Sequence, residues 1–239
     1  MRPARELIAR IPGREFASIV DLGCGDGPVT ALLVRRWPTA QITGIDSSAT
    51  MLAAARSQCP TVTFVEADID GWQPASAPDL IFSNATLQWL DRHETLIPRL
   101  VRLLAPGGVL AIQMPGNFDA PSHRLLAALA MSASWNARTG HLVRHAPVHE
   151  VSFYVDAVTR LTARIEAWET TDLLILDGEN AVLEWMKGTA LRPYLTVLSS
   201  ADAALFQQQL AERLATAYPR RPDGKTIFPF RRIYFVATR

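Results

Sequence analysis

Along the first half of the chain, short apolar runs alternate with segments whose apolar residues recur at helical spacing. Ser18 to Leu22 (SIVDL) is an apolar run that ends in a glycine cluster, the pattern of a buried parallel strand. Between Gly27 and Trp37, the positions of Val29, Leu32, Leu33 and Trp37 predict a helix, and Pro38 stops it. Gln41 to Asp46 (QITGID) is the next strand. Ser47 and Ser48 then offer N-caps to a helix through Met51, Leu52 and Ala55. Thr61 to Glu66, Asp79 to Ser83 and Val109 to Met114 predict three further strands. His93 to Leu104 supplies the helix before the last of them, closed by the turn Pro106-Gly107-Gly108. Strands and helices alternating at this pitch make an open, mostly parallel α/β sheet. Such sheets bind ligands at the carboxyl ends of their strands, near the topological switch point.

Beyond residue 120 the pattern loosens. Helical stretches at about 122–132, 153–163, 179–188 and 202–218 flank two strand-like runs, Arg164–Leu176 and Ile227–Ala237, which read as an edge pair with one member antiparallel. No repeat, low-complexity tract or interdomain linker interrupts the chain. The expectation is one domain over 1–239, with a ligand-binding core at 1–117. Residues 118–239 would add a helical cap and a terminal strand pair on the acceptor side.

Composition narrows the setting. With 239 residues, 49% of them hydrophobic, the chain can bury a large core without metals or disulfides as staples. No apolar run reaches the roughly 18–20 residues of a membrane span, and MRPARELIARIPGREF lacks a signal core. Cys24 and Cys59 form no metal-type CxxC, so a cytoplasmic protein without a metal site or membrane partner is expected. A net charge of +1 weighs against a nucleic-acid partner. The charge is uneven, however. All basic residues except Lys187 and Lys225 are arginines, and residues 187–239 carry nine basic against three acidic side chains, a net +6 that leaves −5 elsewhere. Guanidinium forks suit carboxylates and phosphates.

The glycine loop points to a ligand class. Asp21-Leu22-Gly23-Cys24-Gly25-Asp26-Gly27 follows a predicted strand and opens a predicted helix, so its backbone can turn sharply and approach a ligand. The dinucleotide fingerprint is G-x-G-x-x-G, whereas this loop reads G-x-G-x-G behind an acid. A carboxylate beside the loop suits a cationic ligand better than an anionic pyrophosphate. S-adenosylmethionine (SAM), with its sulfonium and α-ammonium, is such a ligand. Asp46, at the tip of the second strand, can accept from both ribose hydroxyls. Asp68, after the third, can accept from the adenine amino group, and Met51 is placed to pack on the adenine face.

VDLGCGDG, ITGIDSS, VEADI and LIFSNATLQWL resemble the successive motifs of class I SAM-dependent methyltransferases over residues 20–90. The resemblance implies a Rossmann-like seven-stranded sheet with its last strand antiparallel, helices on both faces, SAM as cofactor and S-adenosylhomocysteine as product. Gly23 and Gly25 would line the methionine moiety. Asp46, with Ser47 beside it, would hold the ribose; Asp68 and Ile69 would meet the adenine. Asn84 would lie beside the sulfonium and the transferred methyl.

The sequence Ser83-Asn84-Ala85-Thr86 lacks the DPPY-type tetrad that holds a flipped base, which again weighs against nucleic acid. Together SNATLQWL, WQP (Trp72–Pro74) and TALRPYL (Thr189–Leu195) are similar to the branch that forms a monomethyl ester of a small tricarboxylate, trans-aconitate. SNxxLQW also resembles enzymes that esterify malonyl groups on carrier proteins, and a non-catalytic SAM-binding protein is a third reading. A polycarboxylate needs cations for the carboxylates that do not react. Arg192, in a turn fixed by Pro193, is the first candidate. Arg231 and Arg232 sit on one strand and must face opposite sides, so at most one, taken as Arg231, faces the site. Trp89, His123 and Tyr194 are candidate lining residues. No catalytic side chain is expected, because a carboxylate with a reference pKa near 4 is already ionised at neutral pH. Ahead of the first strand the chain supplies one helix at most, so the family's N-terminal segment over the cofactor would be short and SAM binding weaker.

Overall fold

The structure, a computed structural model, describes residues 1–144 and 147–239. After helix α1 (Arg2–Arg10) come β1 (Ser18–Leu22), α2 (Thr30–Arg36), β2 (Gln41–Asp46), α3 (Ala49–Gln58), β3 (Thr63–Glu66), β4 (Leu80–Asn84), α4 (His93–Leu103) and β5 (Val109–Pro115). Then follow α5 (Pro121–Ala130), α6 (Asn136–Thr139), α7 (Val151–Val158), β6 (Arg164–Asp177), α8 (Ala181–Lys187), α9 (Arg192–Val197), α10 (Ser200–Ala217) and β7 (Lys225–Thr238).

The seven strands form one sheet in the order β3-β2-β1-β4-β5-β7-β6. Strands β1 to β5 pair in parallel, and β7 runs antiparallel to β5. The expected Rossmann-like sheet with a reversed last strand is therefore present. Strands β1, β4 and β5 bury all but one residue each, which is why they read as continuous apolar runs and not as alternating ones. Strand order reverses between β1 and β4, so the switch point lies where Leu22 and Asn84 end their strands.

The chain divides into two compact units. The first comprises Met1–Pro115, Pro147–Thr170 and Arg232–Arg239. Its core includes Leu7 of α1, Leu33 of α2, and Ile19, Phe82, Ala111 and Tyr234 from the sheet. The second comprises Gly116–Ala146 and Thr171–Arg231, around a core that includes Leu129, Trp135, Met186, Phe206 and Phe228. The units are interleaved along the chain, unlike the expected consecutive halves at 117/118. The cause is strand length. β6 and β7 have 14 residues each, against four to seven in the other strands, and each belongs to one unit at one end and to the other unit at its other end.

Other expectations shift locally. Helix α2 starts at Thr30 and not at Gly27, whose φ of 96° lies in the left-handed region outside helical geometry. Strand β3 starts at Thr63, since Val62 is still in a turn bonded to the Cys59 carbonyl. Arg192 does not sit in a turn: it opens α9, with Pro193 in the first helical turn, where a missing N–H costs nothing. Helix α6 is too short to show apolar periodicity and was not expected.

Candidate active site

Beyond β1 the glycine loop turns through three left-handed residues, Gly23, Gly25 and Gly27. Its backbone is tied to β2, with the N–H groups of Gly23 and Cys24 both donating to the Ile45 carbonyl. The first and third glycines allow close packing. A Cβ on Gly23 would stand 2.0 Å from Thr86, and one on Gly27 would stand 3.1 Å from the Ala55 backbone of α3. Gly25 is different. A Cβ there would meet nothing within 4 Å, so this residue turns its open side to empty space.

Asp46 closes one edge of that space. Its Oδ2 accepts from the Gly25 N–H and its Oδ1 from the Ser48 N–H, each at 2.9 Å. A carboxylate offers about four acceptor positions, so two remain for a ligand's paired hydroxyls. Of the two expected caps, Ser48 serves α3 by accepting from the Met51 N–H at 3.3 Å, and Ser47 is exposed. Met51 is 44% exposed and so lies outside the core. Asp68 is exposed, with Oδ1 accepting from the Asp70 N–H at 2.9 Å. Ile69 beside it is buried, its carbonyl held by Arg99.

Asp21 lies within the fold, 1% exposed, its Oδ2 accepting from the Thr30 hydroxyl at 2.6 Å. Burial pushes its carboxyl from 3.8 up to about 7; the Thr30 bond opposes this and the nearby Asp46 charge adds to it. Near neutral pH it therefore sits close to its titration midpoint, and a cation brought nearby favours the ionised form.

After Asn84 the chain enters Ala85 at φ 56°, a conformation that costs a non-glycine residue roughly 1–2 kcal/mol. Neighbouring bonds hold it there. Gln88 Nε2 donates to the Ala85 carbonyl at 2.7 Å, and the Thr86 hydroxyl donates to the Gly23 carbonyl at 3.1 Å. The short 3-10 turn Leu87–Trp89 follows, with Trp89 55% exposed. Buried His93 steadies it through Nε2, 2.9 Å from the Leu87 carbonyl; a carbonyl only accepts, so Nε2 donates. Nδ1 of the same ring is 2.8 Å from the Tyr154 hydroxyl, which accepts from the His149 N–H.

Among the described residues, Asn84 Oδ1 and both amide atoms of Gln113 are buried without a hydrogen-bond partner. Each such atom costs ~1–3 kcal/mol unless something satisfies it. Gln113 was missed in the sequence, although a lone amide inside the apolar run VLAIQM was a signal that could have found it.

The acceptor candidates other than Trp89 belong to the second unit. Arg192 is exposed, and its guanidinium makes no hydrogen bond or ion pair with the described residues. Tyr194 is 6% exposed, donates to the Leu142 carbonyl at 3.2 Å and stacks 5.9 Å from Phe206, so its atoms are engaged in that unit's own core. Arg231 is tied at its backbone to the Asn117 side chain. Arg232 falls in the first unit, where burial depresses its pKa near Tyr234, Arg2 and Glu6. The adjacent arginines thus fall in different compact units. Burial pushes His123 down to about 4, leaving a neutral ring 3.2 Å from the Ser122 hydroxyl.

Several cations of the basic tail have local partners. Lys187 pairs with Glu184, Arg221 with Asp223 and Lys225 with Asp177. Counted by compact unit, the formal charges are −1 for the first and +2 for the second, so the −5 and +6 segregate along the sequence and not between the units. Among the described residues no helix is long and apolar enough to cross a membrane. No three His, Cys, Asp or Glu side chains of these residues cluster to hold a metal ion.

Three features of this strand-end region fit the cofactor that the motifs imply: the open side of Gly25, the spare acceptor positions of Asp46 and the orphaned oxygen of Asn84. A methyltransferase-domain profile matches residues 19–108. Over 245 residues the chain is 50% identical to a trans-aconitate 2-methyltransferase of Streptomyces avermitilis, covering 99% of this chain and 91% of the relative. Another, from Azoarcus sp. strain BH72, is 46% identical over 238 residues, covering 100% of this chain and 93% of the relative. The chain belongs to the trans-aconitate 2-methyltransferase family. Similarity to solved structures supports the fold of that family. The YcgJ protein of Bacillus subtilis superposes with a TM-score of 0.65 at 15% identity, covering 100% of this chain and 98% of its own. Phosphoethanolamine N-methyltransferase 2 of Haemonchus contortus, in complex with S-adenosylhomocysteine, gives 0.58 at 16% identity, covering 100% of this chain and 52% of its own.

Proposed function

We propose that this protein transfers a methyl group from SAM to one carboxylate of trans-aconitate, giving the monomethyl ester and S-adenosylhomocysteine. The observation that carries this reading is identity of 46–50% along the whole chain to relatives of that name. The strand-end cradle is consistent with it. In this reading the open side of Gly25 takes the methionine moiety, with Gly23 keeping the loop against Thr86. Asp46 holds the ribose hydroxyls, with Ser47 at the same corner. Asp68, Ile69 and Met51 frame the adenine, and Asn84 faces the sulfonium side.

SAM, when bound, supplies an electrophilic methyl group on a sulfonium. The chain has correspondingly little proton chemistry to do. An acceptor carboxylate is ionised at neutral pH, so no general base is needed. The work left to the side chains is alignment and the removal of water from the attacking oxygen. Exposed Arg192 and half-buried Arg231 are the candidate cations for carboxylates that do not react, and Trp89 is a candidate for the acceptor's apolar backbone. Tyr194, buried in the core of the second unit, serves that core by packing. A cytoplasmic setting fits the two free, buried thiols, and neither nucleic acid nor a membrane has a part in this reading.

Methyl transfer from labelled SAM to a panel of di- and tricarboxylates tests it. The expected outcome is a monomethyl ester with trans-aconitate as the preferred acceptor. Ester formation only on a carrier-bound malonyl group would move the protein to another acceptor class. Tight SAM binding with no ester from any acid would make it a binding protein.

A further inference from the structure

We propose that Gln113 is a specificity-determining residue for the acceptor, donating from Nε2 to a carboxylate oxygen that does not react; this rests on the function proposed above. Val109 and Ala111 share one core with Ile19, Leu80 and Phe82, so the odd-numbered positions of β5 face that side of the sheet. Gln113 is the next odd position, two residues nearer the carboxyl end, where ligands of such sheets bind. It pairs in register with Asn84, so the two amides are neighbours on adjacent strands, about 4.8 Å apart in backbone spacing.

Around them the polar groups at this end of the sheet are satisfied. Thr30 occupies Asp21; Gly25 and Ser48 occupy Asp46; Ser83 donates to the Leu22 carbonyl. Tyr234, opposite Gln113 on β7, directs its hydroxyl to Glu6. Gln113, with 0% exposure, is left with neither amide atom bonded. A glutamine buried for packing alone would be replaced with advantage by an apolar residue of similar size. An amide with no bond to break can instead turn towards a ligand at no hydrogen-bond cost.

Placement sets the role. If Asn84 faces the methyl group, a group one strand away is set for a neighbouring carboxylate of the same small acid. A bond to the attacking oxygen would draw off its charge, so the spectator carboxylate is the productive partner. A site built to hydrogen-bond a substrate group rejects analogues that lack it.

The test uses the full chain and its own best acceptor from the carboxylate panel. Gln113→Leu should raise the acceptor KM at least 30-fold and leave the SAM dissociation constant within twofold. The same variant should melt no lower than wild type. Gln113→Glu, which places a carboxylate against a carboxylate, should be worse than Gln113→Leu for the acceptor. In the ¹⁵N-labelled wild-type protein, the Gln113 side-chain amide signal should move on adding the acceptor, a readout independent of any variant's folding. An acceptor KM within twofold of wild type, an equal loss of SAM affinity, or an amide signal indifferent to the acceptor would each overturn the assignment. A wild-type protein that esterifies no acid would defeat the proposed function first, and this inference with it.

Discussion

The strand-end acids of the first unit and the cations of residues 187–239 look alike in sequence, as two clusters of charge awaiting ligands. In the fold they differ. Asp46 is fixed by two backbone N–H donors and Asp21 by Thr30, so each carboxylate has one geometry. The basic residues are dispersed: Lys187, Arg221 and Lys225 find acids of their own, and the arginines 231 and 232 fall in different units. A carboxylate at a strand's end takes its place from the strand, because the next residues must turn and present their N–H groups. An arginine on a helix or long strand takes its place from whatever packs nearby. Charge order along a chain is a guide to a site only in the first case.

The sharpest test of that contrast is Asp46→Ala. It removes two charge-assisted bonds that shape the loop, each worth ~1.5–3 kcal/mol, together with the proposed ribose contact. SAM affinity should fall about 100-fold by calorimetry, with Asp46→Asn intermediate because one oxygen remains. If Asp46→Ala binds SAM within threefold of wild type, the loop is not held by this carboxylate and the contrast loses its basis.

What was legible in the sequence divides along the same line. β1, β2 and the glycine loop could be read because strand burial, glycine conformation and acid placement are all local. Asp46 was identified at its strand tip from its neighbours alone. Gln113 escaped because its significance lies in what does not bond to it, a fact about β4, β7 and their side chains. The interleaving of the units escaped for a similar reason: the patterns of β6 and β7 show two strands but not that each serves two cores. Tyr194 shows the limit from the other side, since nothing in LRPYL distinguishes a hydroxyl aimed at a ligand from one bonded to the Leu142 carbonyl.

The cation side of the comparison should yield smaller effects, concentrated on one residue. Arg192→Ala removes an exposed guanidinium with no partner among the described residues. Loss of a charge-assisted contact of ~1.5 kcal/mol or more corresponds to about tenfold or more in the acceptor KM, with the SAM KM within twofold. Arg221→Ala is the matched control. Its pair with Asp223 is exposed, of a kind worth ~0–1 kcal/mol, and its removal should leave both constants within twofold. Equal changes in the two KM values for Arg192→Ala would take it out of the acceptor site. A large acceptor effect from Arg221→Ala would restore the idea of a collective basic face.

The smallest effect is a pH dependence that separates the two roles of Asp21. In the folded protein its carboxyl titrates near 7, and in the unfolded chain near 3.8. Between those values the folded state holds a proton that the unfolded state has released, so stability falls as pH rises from about 4 to about 7 and levels off above. Binding of a cationic ligand runs the other way, because it draws on the ionised carboxylate. Wild-type affinity for SAM should therefore strengthen a few-fold from pH 5.5 to 7.5, while the melting temperature of the free protein declines. Asp21→Asn should flatten both curves. It should match wild-type stability only below about pH 4, where Asp21 is protonated in the folded and unfolded states alike, exceed it by a growing margin up to about pH 7, and bind SAM more weakly at pH 8. The measurement is SAM affinity and melting temperature of both proteins across that range. An unchanged affinity slope in Asp21→Asn would assign the proton to another group and leave Asp21 a buried support for Thr30 alone.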